Sequence, residues 1–454
     1  MRFSTSELAA HLGAELVGPD VTVDGATIDS RTARPGQLYV PIVAERDGHA
    51  FILAALESGA GAYLTERAPL HGADAAAGAT AVVVDDTAAA LMALGKLARA
   101  RVGGVVGITG SVGKTTTKDL LAACLGAAFP TAASERSFNN ELGLPLTLLN
   151  APDGVRWVVL EMGSRGQGHI ARLAAVARPD VGIVTSVALA HVEFFGDLEG
   201  VARAKAELVA ALPEGGLAVL NFDDPRVRGM ADHSPCPVVG YSVGDAMHGR
   251  VDVRADEVTL DAELRPRFRL HSPWGSAEVR LAVHGLQQVS NALAAASAAL
   301  WCGVPLDAVV PALAEAAGPP LRMEVHHVPG GPVLVVDCYN ANPASTEAAL
   351  RSLAALPAPR RLALLGVMAE LGEATEAEHR RLAALAEELG IEVVGYGTGL
   401  YGPARVDGPE AAVALLREAG ADEAVLVKGS RVAQLEDVVH VYGALTGLQS
   451  LAGS

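Results

Sequence analysis

Cysteine, aromatic residues and long apolar runs are all scarce in this chain of 454 residues. Its four cysteines, Cys124, Cys236, Cys302 and Cys338, lie far apart and form no CxxC pair. That spacing excludes a disulfide framework and a thiolate zinc site, and leaves reduced core or pocket residues. No segment approaches the roughly 20 uninterrupted apolar residues of a membrane span. The N-terminus, "MRFSTSELAAHLG", starts like an amphipathic helix and lacks a signal-peptide core. A soluble cytoplasmic protein without membrane insertion is expected. Positive charge is also short: 35 Lys and Arg face 52 Asp and Glu, for a net charge of -17. A nucleic-acid backbone or an anionic membrane would be repelled, so neither is an expected partner, while a local basic pocket for a small anion stays compatible. Aromatics are 4% of a chain that is 50% hydrophobic, so the cores must be built mainly from Ala, Leu and Val. Ala and Leu favour helices and Val favours strands, which suits an α/β protein.

The length calls for two or three domains. Residues 1–85 alternate short strands and helices ("AELVG", "VTVDGATIDS", "QLYVPIV", "AFILAALESGA") and end on the strand "AVVVDD". Residues 86–316 carry short apolar runs, "GVVGITG", "WVVLEMG", "VGIVTSV" and "LAVLN", separated by helical patterns. This is the signature of a parallel sheet with crossover helices. Residues 238–284 switch to alternating pieces, expected to form an antiparallel set at the sheet edge. Residues 317–454 restart the strand–helix alternation and are expected to form a Rossmann-like domain. The expected fold is therefore α/β in three domains, with a small N-terminal domain, a central parallel-sheet domain bearing a phosphate loop, and a C-terminal Rossmann-like domain.

The most informative stretch is "GITGSVGKTTTKD". A strict phosphate loop has glycine five residues before its Gly-Lys pair. Ile108 holds that place here, and the glycine sits one residue earlier at Gly107. The core of Gly110, Ser111, Val112, Gly113, Lys114, Thr115 and Thr116 is intact between a strand and a helix. Its backbone amides can cradle phosphates, Lys114 can neutralise them, and the Thr115 hydroxyl can face Mg²⁺. Glu161 ends the apolar run "RWVVLE", so it falls either as a simple strand-end residue or in the crevice where parallel sheets bind ligands. There it could hold Mg²⁺ directly or through water. His191, beyond the next strand, could converge on it. In "NNELG", Asn139, Asn140 and Glu141 read equally as a binding loop or a helix cap. Asn291, Arg322 and Asp337 carry weaker signals, and Arg322 is by default a surface residue. "GYGTG" (395–399) lacks the third glycine of a dinucleotide loop, and His326-His327 has no ligand spacing.

These pieces, in this order, resemble the Mur ligases, the ATP-dependent amide-forming enzymes of peptidoglycan synthesis. "TIDSRTARPGQLYV" and "DGHAF" are similar to the UDP-binding domain, with Ser30 and Arg31 at its signature. "GSVGKTTTKD" resembles the ATP loop. "SFNNELGLPLTLL" resembles the branch that adds D-alanyl-D-alanine. "EMGSRGQGHI", "AHVEFFG", "LNFDDPRV", "CYNANPAS", "MAELGE" and "VLVKGSR" complete the series.

The resemblance implies a monomeric ligase that joins D-alanyl-D-alanine to UDP-N-acetylmuramoyl-tripeptide through an acyl phosphate, with ATP and two Mg²⁺. A relative adding another amino acid, or a weakly active ATP-binding scaffold, is the alternative. A regulatory GTPase is disfavoured because no Asn-Lys-x-Asp motif is present. By the same resemblance Lys114, Glu161 and His191 bind phosphate and Mg²⁺, and Lys205 is the lysine that carbon dioxide converts to a carbamate beside the second metal. Asn291, Arg322 and Asp337 close over ATP, while Asn139, Asn140 and Glu141 serve substrate binding. The chain departs from the family at Gln287-Gln288, where His-Asn is usual, and at Val367 and Val336, where Asp is common. Ala206 stands in place of the common Gly.

Overall fold

A computed structural model describes residues 1–69, 79–135, 138–189, 192–244, 251–448 and 451. Three sheets organise it, with a small two-stranded ribbon at the N-terminus. The first sheet has five strands, and four of them, from Ala26–Thr27 to Thr80–Val83, run parallel. The helix expected over "AFILAALESGA" is shorter than its apolar pattern: a 3-10 turn at Gly48–Phe51 leads into Ile52–Glu57. Asp47 caps that turn by accepting from the His49 backbone N–H, which sets where the helix can begin.

The second sheet has nine strands and surrounds Gly104–Thr109, with Trp157–Glu161 on one side and Val181–Val184 on the other. All six residues of the central strand are buried, as are Trp157–Glu161. Continuous burial is the pattern of a parallel sheet covered on both faces. The chain leaves the central strand toward one side of the sheet and later returns on the other. This opens a crevice at the strands' carboxyl ends. The Ala-rich helix Gln288–Trp301 and the helix Lys114–Gly126 bury against one face in a shared core. Residues 238–284 depart from expectation in one respect. The strands Val238–Val243 and Val253–Leu260 still pair parallel, and antiparallel pairing starts only with Pro266–Ser272 and Gly275–Arg280. Alternating polarity reports that one face meets water and says nothing about strand direction.

The third sheet has six strands, with Val333–Asp337 beside Glu423–Lys428 and that beside Arg360–Leu365. His326 and His327 lie on its edge strand Glu324–His327. The "GYGTG" segment ends the strand Glu392–Tyr396 and opens no helix, as its missing glycine suggests.

One buried histidine ties this last sheet together. His379, wholly buried on the helix Thr375–Glu388, accepts at Nε2 from the Met368 backbone N–H at 2.9 Å. Its Nδ1 therefore donates to the Thr375 carbonyl at 2.5 Å. Burial lowers its pKa below the usual 6.5, against the opposing effects of Thr375 and Glu378. Below about pH 6.5 the unfolded chain binds a proton that the native state does not, so stability falls as the pH drops from there toward the lowered native value. Denaturant melts between pH 7 and 5 are expected to show that loss and to show less of it in His379→Ala. That variant is itself expected to lose roughly 1–3 kcal/mol at pH 7 by orphaning the Met368 N–H.

Candidate active site

The phosphate loop leaves the central strand through two glycines that the packing requires. Gly110 has φ 148°, and a Cβ there would sit 1.9 Å from the Thr185 hydroxyl. Gly113 has φ 90°, and a Cβ there would sit 2.3 Å from Asn291 Oδ1. Ser111 and Val112 donate their backbone N–H groups to the Ser186 carbonyl and hydroxyl, tying the loop to the end of the neighbouring strand. The helix Lys114–Gly126 then starts with no side-chain cap, so its amino end is available to an anion.

Below the loop lies a cleft of about 650 Å³ between the second and third sheets. It gathers residues 110–116 with Asn139, Asn140, Glu141, Glu161, Lys205, Asn291, Arg322 and Asp337. Glu161 is buried at its strand's carboxyl end. Its Oε2 accepts from the Thr115 hydroxyl at 2.8 Å, and its Oε1 from the Asn139 amide at 2.9 Å. Lys114 donates to the Gly110 carbonyl at 2.7 Å. Burial lowers the Lys114 pKa; Glu161 opposes that shift and Arg322 adds to it. A surface groove of about 800 Å³ near Arg99 is larger, but the Arg99 guanidinium there is engaged by carbonyls of Ala177 and Arg178 and by Asp180.

The "NNELG" run divides its roles. Asn139 holds Glu161, while Asn140 accepts from the backbone N–H groups of Leu142 and Gly143 and closes the turn that leads into the helix Gly143–Leu149. Glu141 pairs with Arg172 at 3.1 Å. Asn291 donates to Gln288 Oε1 at 2.7 Å, so the glutamine keeps an amide in the cleft wall. His191 lies outside the described residues. Ser30 and Arg31 do not line this cleft: they form a turn of the N-terminal unit, where the exposed Arg31 pairs with Asp29 at 2.7 Å. Among the cleft residues not picked out from the sequence are Tyr339 and Lys428. Lys428 is 1% exposed and pairs with Asp337 Oδ2 at 2.6 Å, joining the carboxyl ends of adjacent strands. The signal was in "EAVLVKGS", a charged residue ending an apolar strand, the same cue that singled out Glu161.

Residues 108–299 match the Mur ligase middle domain, and residues 321–431 match the Mur ligase glutamate ligase domain. The UDP-N-acetylmuramoyl-tripeptide–D-alanyl-D-alanine ligase of Mycobacterium leprae is 39% identical, over 92% of this chain and 93% of the relative. The chain belongs to the Mur ligases. The enzyme of the same name from Escherichia coli K12 is 35% identical to this Mur ligase, over 96% of this chain and 97% of the relative. Among solved structures, MurF from Acinetobacter baumannii superposes with a TM-score of 0.86 at 27% identity, covering 97% of this chain and 99% of that one. MurF from Thermotoga maritima, solved with ADP, gives 0.79 at 27% identity, over 94% of this chain and 99% of that one.

Lys205 is a strongly perturbed amine in the cleft. It is 5% exposed on the helix Leu198–Ala210, and its pKa is brought down to about 7. Burial is the main cause and Lys114 adds to it, while Glu207 opposes. With a pKa near 7 about half of this amine is neutral at pH 7 and able to attack carbon dioxide, whereas at the usual 10.5 only a trace would be. With dissolved carbon dioxide held constant, a carbon-13 carbamate signal is expected to grow as the pH rises from 6 to 8. It should be absent in Lys205→Arg, and a wild-type spectrum without it would refute the expectation.

Proposed function

We propose that this Mur ligase joins D-alanyl-D-alanine to the tripeptide carboxylate of UDP-N-acetylmuramoyl-tripeptide, with ATP converted to ADP and phosphate. The observation that carries the reading is the convergence of the phosphate loop, Glu161 and Lys205 in one cleft, in a chain that is like ligases of that name along nearly its whole length. Amide formation in water is uphill, so the carboxylate takes the γ-phosphoryl group first and the amine of the dipeptide then displaces phosphate. Carboxylate and triphosphate repel each other. Lys114, Arg322 and the uncapped helix terminus offset that repulsion and hold the two in line. Asn291 and Asp337 belong to the nucleotide side of the cleft, Asn139 and Glu141 to the substrate side, and Asn140 holds the loop between them.

The oxygens of Thr115 and Glu161 suit Mg²⁺, which takes one or two protein oxygens and completes its shell with phosphate and water. Bound there, Mg²⁺ would neutralise the phosphates; His191 and a carbamylated Lys205 would serve a second ion. Glu161 already has both oxygens oriented, so it is set before metal arrives. Ser30 and Arg31 would grip the uridine diphosphate from the N-terminal unit, with 1–85, 86–316 and 317–454 acting as three domains. No helix among the described residues is long and apolar enough to cross a membrane. A cytoplasmic monomer meets the needs of this reaction.

A mass-spectrometric ligation assay with ATP, Mg²⁺, D-alanyl-D-alanine and UDP-N-acetylmuramoyl-tripeptides differing in the third residue tests this. A pentapeptide product is expected, reduced about 10²–10³-fold in Lys114→Ala, the usual effect of deleting one group aimed at transition-state charge. No product from any of these tripeptides would overturn the assignment.

A further inference from the structure

The segment that joins the second sheet to the third has an unusual backbone. After Pro319 and Pro320, Leu321 has φ 59° and Met323 has φ 55°, with Arg322 between them. L-residues with a Cβ rarely adopt that left-handed conformation, and two of them within three residues are costly unless the surroundings enforce it. The surroundings do so by gripping one strand from both faces. Leu321 is buried in the cluster that contains Leu334, Val336 and Cys338, and Met323 in the cluster that contains Val335. Those residues alternate along and just past the strand Val333–Asp337, so the two side chains lie on its opposite faces. The Leu321 N–H donates to Glu324 Oε2 at 3.1 Å, and the Leu321 carbonyl accepts from the Tyr339 N–H at 3.1 Å. Arg322 is thereby directed to the strand's carboxyl end. Its guanidinium lies 4.2 Å from the centre of the Tyr339 ring, and it lines the cleft close enough to Lys114 to depress that amine's pKa.

We propose that Leu321 and Met323 are positioning residues for the nucleotide: their two left-handed turns aim Arg322 at the anion in the cleft before it arrives. Pre-orientation of this kind raises affinity by removing the cost of ordering a long side chain on binding. The proposal rests on the reading that the cleft takes ATP.

The test compares glycine with alanine at each position in the full chain. Leu321→Gly and Leu321→Ala remove the same buried side chain beyond Cβ, as do Met323→Gly and Met323→Ala, but with that packing gone only glycine keeps a left-handed φ without strain. Each glycine variant is expected to melt no lower than its alanine partner. The alanine variant's calorimetric Kd for Mg·ATP is expected to be about fivefold weaker than its glycine partner's, and its KM for ATP to rise in step. The difference between glycine and alanine should vanish in an Arg322→Ala background, because the effect passes through that guanidinium. Equal Kd values for glycine and alanine, or a difference that survives Arg322→Ala, would overturn the proposal. Loss of the ligation product with this Kd pattern intact would overturn the assigned reaction and leave the positioning role standing.

Discussion

Everything in the cleft depends on gathering basic side chains where water screens them poorly. The chain carries a net charge of -17, yet Lys114, Lys205, Arg322 and Lys428 converge at the carboxyl ends of two parallel sheets. Buried like charges repel one another, and the lowered pKa values of Lys114 and Lys205 reflect that together with burial. Glu161 and Asp337 offset part of the repulsion. Overall negative charge keeps nonspecific polyanions away, and the concentrated positive charge admits one that fits.

The sheets make this possible by their topology. A parallel strand buried on both faces can end in only a few polar groups, and those groups point into the crevice where the chain reverses its direction of crossover. Glu161 and Asp337 each end such a strand, and Lys428 ends a third. The phosphate loop occupies the crevice of the second sheet, while Asp337, Lys428 and Tyr339 approach from the third. The linker with Leu321 and Met323 supplies Arg322 at the seam. The binding site therefore belongs to neither sheet alone.

Motifs confined to a few consecutive residues were legible in the chain itself. Gly110 to Thr116 declare a phosphate loop because the backbone turn requires glycine and the phosphates require Lys and Thr, whatever surrounds them. The apolar run before Glu161 placed that carboxylate at a strand end. Lys428 carries the same cue but was not singled out, because a lysine after an apolar run gains significance only from Asp337 beside it. The parallel pairing of Val238–Val243 with Val253–Leu260 was likewise hidden, since alternation records which face meets water and not which way a strand runs.

The sequence by itself determined the α/β class, the glycine-lysine turn between strand and helix and the order of motifs that marks the family, because each rests on local backbone preference or short spacing. The tertiary structure alone decided that Asn139 orients Glu161. It alone placed Arg322 over Tyr339 and separated Ser30 and Arg31 from the phosphate cleft. Those outcomes depend on contacts between residues far apart in the chain, and such contacts leave no periodic trace in the sequence.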